Sequence, residues 1–286
     1  MATNKVAVLI PAFNEAATIG KVVSMASTYS KHVLVVDDGS RDATGEAAKS
    51  AGVEVLRHSR RRGLGAALHD GFSHLFSRGF STVVTIDGDG AHDPRLVPEL
   101  VKYHHDTGAD LTVGSRFLNE PSFPNFPSPK RAANRFATLL LRRVAGVNLT
   151  DVASGMRAVG PKAMNLSGLP CGYGFTFALV CAATAERLLV NEYAITCRYD
   201  AREVFATRRS EIVALLRVAL RRAHRAKERA AIRGMWDCVK SFTAIGVRLE
   251  DSDFFFHPIR DSNLYLIQEQ HSFFTSLGGD RSLIQF

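Results

Sequence analysis

Two apolar patterns alternate along the chain as far as residue 115. Short unbroken runs at 6–10, 32–36, 53–56, 81–86 and 110–113 read as strands buried on both faces. Pro11 closes the first of them, because proline has no amide to give to a ladder. Between the runs, apolar residues return at helical spacing, as do Ile19, Val22, Val23 and Ala26 within the segment 15–29. Further helices are predicted from Asp42, from the Gly63-Leu64-Gly65 turn to Arg78, from Pro94 to His105, and over 131–144. Strands and helices alternating in this way predict βαβ units, hence an α/β domain whose mostly parallel, Rossmann-like sheet is flanked by helices.

Ligands of such sheets bind outside the C-terminal ends of the strands. The residues expected at that edge are Asn14, Glu15, Asp37, Asp38, Arg61, Asp87, Asp89 and Arg116. Asp87-Gly88-Asp89 concentrates the most charge, directly after the fourth strand. Acids so placed repel one another and bare phosphate alike, so a hard divalent cation between protein and diphosphate makes sense of them. The plainer reading is a loop of turn-forming residues. His92 is either a further metal ligand or an ordinary core histidine.

Composition narrows the partners. With 286 residues, 46% hydrophobic and 22% charged, the chain fits one large globular domain with an appendage. A net charge of +8 favours phosphates, anionic headgroups or nucleic acid. No helix-turn-helix, finger or stacking platform accompanies the charge, which sets nucleic acid aside. Cys171, Cys181, Cys197 and Cys238 lack metal-ligand spacing and read as buried free thiols of a reducing compartment. No leader is visible before the first strand, and no apolar run reaches the roughly 18–20 residues that span a bilayer. The expected location is therefore cytoplasmic, peripheral at most to the membrane's cytoplasmic face.

Five segments carry a resemblance when taken together: Ile10-Pro-Ala-Phe-Asn-Glu15, Val35-Val-Asp-Asp-Gly-Ser40, Gly63-Leu-Gly-Ala66, Ile86-Asp-Gly-Asp-Gly-Ala-His-Asp-Pro94 and Asp151-Val-Ala-Ser-Gly-Met-Arg157. In this order and spacing they resemble the family 2 glycosyltransferases of GT-A fold, nearest the dolichyl- or polyprenyl-phosphate sugar synthases. The resemblance covers roughly residues 5–210. It implies an inverting, metal-dependent transferase with Mg2+ or Mn2+ on Asp87 and Asp89 and a UDP- or GDP-sugar donor. Pro11, Asn14 and Glu15 would contact the nucleotide, and Asp37 and Asp38 the base and ribose. Gly63 and Gly65 would bring backbone close to the donor and open a helix whose N-terminus favours anions. Asp151, Ser154 and Arg157 match an acceptor-side motif, and Arg116 and Arg131 are candidate anion contacts. Tyr199, Arg202, Thr207 and Arg208 stand where the family closes over the donor phosphates. Departures are Arg61 for a usual Asn, Ala91 for a Gln that assists the metal, and Phe205 for a Gly.

A hydroxyl acceptor needs a general base, whereas a phosphate acceptor does not. No Asp or Glu lies between Val152 and Ala185, and the stretch 172–177 is apolar, which favours an anionic acceptor such as a lipid phosphate. Asp151 remains the candidate base. Over 212–230, Ile212, Leu215, Leu216, Ala219, Ala223 and Ala226 share one helical face, opposite Arg217, Arg221, His224 and Arg225. Such a helix suits an anionic membrane, or simply packs with its basic face in water. The expected organisation is a transferase domain over 1–210, then the basic helix and an aromatic-rich tail over 211–286. Two alternatives stay open: the same chemistry on a soluble, glycan or nucleic-acid acceptor, and a degenerate nucleotide-sugar-binding protein.

Overall fold

The computed structural model describes residues 5–118, 128–197, 209–224, 228–234 and 236. Seven strands form one sheet: β1 (Val6–Ala12), β2 (Val33–Asp37), β3 (Glu54–Arg57), β4 (Thr82–Thr85), β5 (Leu111–Ser115), β6 (Arg157–Val159) and β7 (Val190–Ala194). Their order is β3-β2-β1-β4-β6-β5-β7. All neighbours run parallel except β6, which is antiparallel to both β4 and β5. The α/β class expected from the apolar pattern is the one observed, with β6 and β7 added from a region whose pattern predicted neither.

β1 does not stop before Pro11; it runs on to Ala12. Alternate residues of β1 address alternate neighbours. Val8 donates to His32 and Ala12 accepts from Asp38 on the β2 side, whereas Leu9 accepts from Ile86 on the β4 side. Pro11 shares the parity of Leu9, and the β4 ladder has already ended at the Leu9–Thr85 pair. Its missing amide therefore falls where no partner waits, and the strand tolerates it.

The helices of this sheet are α1 (Ile19–Tyr29), α2 (Thr44–Ser50), α3 (Leu64–Ser77), α4 (Val97–Thr107), α6 (Pro161–Met164) and α7 (Gly174–Ala185). A single 3-10 turn at Pro94–Leu96 leads into α4, with Asp93 accepting from the Arg95 amide as its cap. Val8, Ile10 and Ala12 pack with Val22, Val23, Val97 and Leu100 into a core with no residue above 5% exposure. That packing fixes the strand ends, and with them the loops that carry the polar residues.

By internal contacts the chain divides into two units: Met1–Phe126 with Leu149–Glu203, and Pro127–Asn148 with Val204–Phe286. The second unit holds α5 (Ser128–Ala145) and α8 (Arg209–Arg222). Pro129 falls in the first turn of α5, where an amide is not needed. Leu215, Leu216 and Ala219 of α8, with Ala223 just past its end, are all within 4% exposure, so this apolar stripe is packed inside the protein. Among the described residues no helix is long and apolar enough to cross a membrane.

Candidate active site

Three loops at the C-terminal ends of β1, β2 and β4 are stitched into one platform. Asn14 takes a positive φ of 58°, a conformation Asn tolerates. Its amide donates to Ser40 Oγ at 3.0 Å, and its Oδ1 accepts from the Arg41 amide at 2.9 Å. The Glu15 amide donates to Thr44 Oγ1 at 2.8 Å, and the Ala16 amide to Asp42 Oδ2 at 3.1 Å. The Thr18 hydroxyl donates to the Gly88 carbonyl at 2.8 Å, tying the first loop to the aspartate turn. The sequence reading missed Thr18, because its partner lies 70 residues away. Arg61 lies over the Phe13 ring at 4.2 Å from the centroid, so the residue that departs from the family pattern also faces this edge.

Asp37 and Asp38, expected to read base and ribose, have carboxylates that already hold partners within the fold. Asp37 is 0% exposed and Asp38 3%. Asp37 Oδ1 accepts from the Ser40 amide at 2.9 Å, and Oδ2 lies 3.3 Å from Arg57 Nε. Asp38 Oδ1 accepts from the Arg62 amide at 2.7 Å and lies 2.7 Å from His58 Nδ1, while Oδ2 accepts from the Gly63 amide at 2.7 Å. Buried carboxylates take whatever donors surround them, and here those are loop amides. The pair braces the ligand edge from beneath.

Gly63 and Gly65 likewise lie against protein. A Cβ on Gly65 would stand 2.2 Å from the Pro170 carbonyl oxygen, and one on Gly63, at φ 100°, would stand 2.9 Å from the Cys171 oxygen. The Cys171 carbonyl also accepts from the Ala66 amide at 2.8 Å. The close backbone approach these glycines permit is thus to the segment 170–171, which occupies the α3 N-terminus. Cys171 itself is exposed, against the expectation of a buried thiol, whereas Cys181 is buried. Cys238 lies outside the described residues.

Asp87 and Asp89 sit where the sequence placed them, just beyond β4. The Asp87 side chain is 38% exposed. A Cβ on Gly155 would lie 2.3 Å from both of its carboxylate oxygens, so only glycine leaves room for the acid in this position. The Gly155 carbonyl is held by the Thr85 hydroxyl at 2.7 Å, which fixes the wall against which Asp87 rests. Asp89 Oδ1 accepts from the Ala91 amide at 2.9 Å. His92 is 2% exposed, with Nδ1 3.3 Å from Asp87 Oδ2 but out of line for a hydrogen bond. Neither of its ring nitrogens has a hydrogen-bond partner. His92 also bridges to Cys197, whose thiol is pushed up to about 12, first by burial and then by the nearby acids, with Arg116 opposing. Among the described residues no three His, Cys, Asp or Glu side chains cluster tightly enough to hold a metal by themselves.

The acceptor-side motif is an internal frame. Asp151 is 0% exposed and accepts from the Arg116 guanidinium through Nε at 2.6 Å and Nη2 at 2.9 Å, and from the Arg116 amide at 3.1 Å. Burial works to raise its pKa, but the charge and hydrogen bonds of Arg116 outweigh it and hold the carboxyl below its usual range. A buried, guanidinium-paired carboxylate is a poor proton acceptor, and each of these two candidate site residues holds the other inside the fold. Ser154 is 0% exposed. Arg157 gives Nε, Nη1 and Nη2 to the carbonyls of Ser154, Thr176 and Val152, each at 2.9 Å. Burial pushes that guanidinium down to about 10, with Asp151 and Asp87 opposing. It anchors the loop that carries Gly155. Glu192, which the sequence reading passed over, accepts from the amides of Thr150 at 2.7 Å and Asp151 at 3.0 Å. Burial raises its pKa. Arg131 lies on α5 in the second unit, half-buried. Arg202 and Arg208, with Tyr199 and Thr207, lie outside the described residues.

The model of the glycosyl transferase family 2 covers residues 7–165. The chain belongs to that family. The transferase is 32% identical over 206 residues to a polyprenol monophosphomannose synthase of Mycolicibacterium smegmatis, covering 68% of this chain and 77% of that protein. It is 34% identical over 184 residues to an undecaprenyl-phosphate mannosyltransferase of Micrococcus luteus, covering 60% and 74%. It is also 37% identical over 156 residues to an uncharacterized protein of Methanocaldococcus jannaschii, covering 54% of this chain and 64% of that one. In structure it resembles the glucosyl-3-phosphoglycerate synthase of Mycobacterium tuberculosis. The form with Mn2+, UDP-glucose and phosphoglyceric acid gives a TM-score of 0.52 at 26% identity, covering 76% of this chain and 80% of that one.

Proposed function

We propose that this transferase moves a sugar from a nucleoside diphosphate sugar to a polyprenyl phosphate, with inversion, and that Asp87 and Asp89 hold the divalent cation the donor requires. The observation that carries the reading is the Asp87 carboxylate, partly open to solvent and seated in a cradle that a single Cβ at position 155 would fill. Acids beyond a central strand, with the unpartnered nitrogens of His92 behind them, fit a hard cation completed by phosphate oxygens and water. Mg2+ or Mn2+ bound there supplies positive charge against the leaving diphosphate. The chain's own part is positioning: Thr85 and Gly155 fix Asp87, Thr18 fixes the aspartate turn, and the stitched loops of Asn14 and Glu15 form the nucleotide-facing edge. Likeness to a structure containing Mn2+ and UDP-glucose supports a nucleotide-sugar donor, UDP- or GDP-linked.

The acceptor reading rests on Asp151. With that carboxylate buried and paired, the acceptor-side motif offers no base, and an already ionised phosphate oxygen needs none. Its lone pair attacks the anomeric carbon as the bond to the donor's β-phosphate oxygen breaks. The named activities of the mycobacterial and Micrococcus relatives support a polyprenyl phosphate. A soluble phosphorylated acid is the second reading, favoured by the structural likeness to a phosphoglycerate-glucosylating enzyme. A matrix of UDP- and GDP-sugars against polyprenyl phosphate and 3-phosphoglycerate, with and without EDTA, tests both. Turnover that persists in EDTA and in Asp89→Ala overturns the metal assignment, and transfer to neither phosphate overturns the acceptor.

A further inference from the structure

The second unit carries a basic surface. Its exposed, described charged side chains are the arginines Arg142, Arg143, Arg217, Arg221, Arg229 and Arg233, with His224 beside them. Glu211 and Glu228 are only partly exposed, and Glu228 is spent on Arg143 at 3.4 Å. The arginines are neighbours. Arg229 Nε donates to the Ala223 carbonyl at 2.8 Å, and Trp236 stacks under Arg217 at 5.3 Å. The segment from 228 to 236 therefore folds back along α8, from its C-terminal end toward its middle, with Ile232 at 0% exposure as the anchor. Arg217 and Arg221 are one turn apart on α8 and share a face. The Arg143–Glu228 contact brings the last turn of α5 to the same end.

Arginines in last turns offset the helix dipole, and three of the six, Arg142, Arg143 and Arg221, need no further explanation. That account does not cover Arg217 in mid-helix, nor Arg229 and Arg233 on the returning segment. Trp236 is the chain's single tryptophan, and it lies half-exposed within the basic face. Indole rings favour the headgroup level of a bilayer, where apolar and polar surroundings meet. The apolar stripe of α8 is packed away, so insertion of a helix is not the mode of attachment.

We infer that this face is a docking surface for an anionic lipid bilayer, held by arginine–headgroup attraction with Trp236 at the interface. The inference goes beyond the catalytic reading and needs neither donor, metal nor turnover, so its failure leaves that reading standing. The full chain is titrated with vesicles of phosphatidylcholine alone and of phosphatidylcholine with phosphatidylglycerol, following Trp236 emission and co-sedimentation. The expected result is a blue shift and co-sedimentation only with phosphatidylglycerol, reversed by high salt. Replacing Arg221 and Arg233 by Gln should lower the partition coefficient about 10-fold or more at unchanged melting temperature. No preference for phosphatidylglycerol at low salt overturns the inference. So does a folded double variant that partitions like the parent, and so does tighter binding of single-stranded RNA than of the charged vesicles.

Discussion

Gly155→Ala puts one methyl group into the cradle of Asp87. The new Cβ would lie 2.3 Å from both carboxylate oxygens, and ordinary van der Waals contact begins near 3.4 Å, so the acid must retreat by about 1 Å. Asp87 is 38% exposed and has solvent to retreat into, so the fold should lose only about 1–2 kcal/mol. Catalysis is less forgiving, because a displacement of that size costs about 100-fold in rate, or about 2.7 kcal/mol of barrier. The assay is kcat/KM for sugar transfer over a Mn2+ titration, alongside a urea melt of the same preparation. Pairing the change with Asp87→Ala makes a double-mutant cycle in which the second substitution should add little, because both act on one carboxylate. A folded Gly155→Ala protein with activity within about 3-fold of the parent would refute the reasoning, since the cradle would then set nothing.

Three further outcomes follow from buried groups. Arg116→Met strands a carboxylate that is 0% exposed and should cost about 3–5 kcal/mol in a denaturant melt, with Arg116→Lys restoring little because Lys lacks the two-pronged fork. His104 is 3% exposed, bonded through Nδ1 to Thr112 at 2.9 Å, and burial lowers its pKa from 6.5 to about 4. The unfolded chain therefore takes up a proton on that ring between pH 6.5 and 4 while the folded chain stays neutral, so stability is lost as pH falls through this window, by about 3 kcal/mol in all. His104→Asn should flatten that part of the stability–pH curve, and an unchanged slope would assign it elsewhere. Gly65→Ala drives a Cβ to 2.2 Å from the Pro170 carbonyl, where only backbone can yield, and should lower stability by about 1–3 kcal/mol in a thermal melt.

The sheet was legible where strands were apolar on both faces and stood between helices of clear period, which accounts for β1, β2, β4 and β5; β3, an edge strand with exposed ends, was placed by its position between two helices. β6 is three residues long, too short to show a period, and β7 is half-buried at every position without alternation. α7 is apolar on all sides, with nine buried residues, so no stripe betrayed it. At the site, residue types showed which loops carry charge, but not which charges are already paired inside the protein. The partners of Asp151, Asp38 and Gly65 come from segments 20 to 105 positions away, and only the fold brings them together. Asp87, Asp89 and the loop of Asn14 kept the places the sequence assigned, because strand ends alone determine them.

Titration calorimetry of a UDP- or GDP-sugar, with and without Mn2+, on the parent protein and on Asp89→Asn, tests the central claim most directly. A donor that binds the parent at least about 10-fold more tightly with Mn2+ than without it, and a variant in which Mn2+ makes no difference, is the predicted result. Equal donor affinity with and without the ion in the parent, or an undiminished Mn2+ effect in Asp89→Asn, would contradict it.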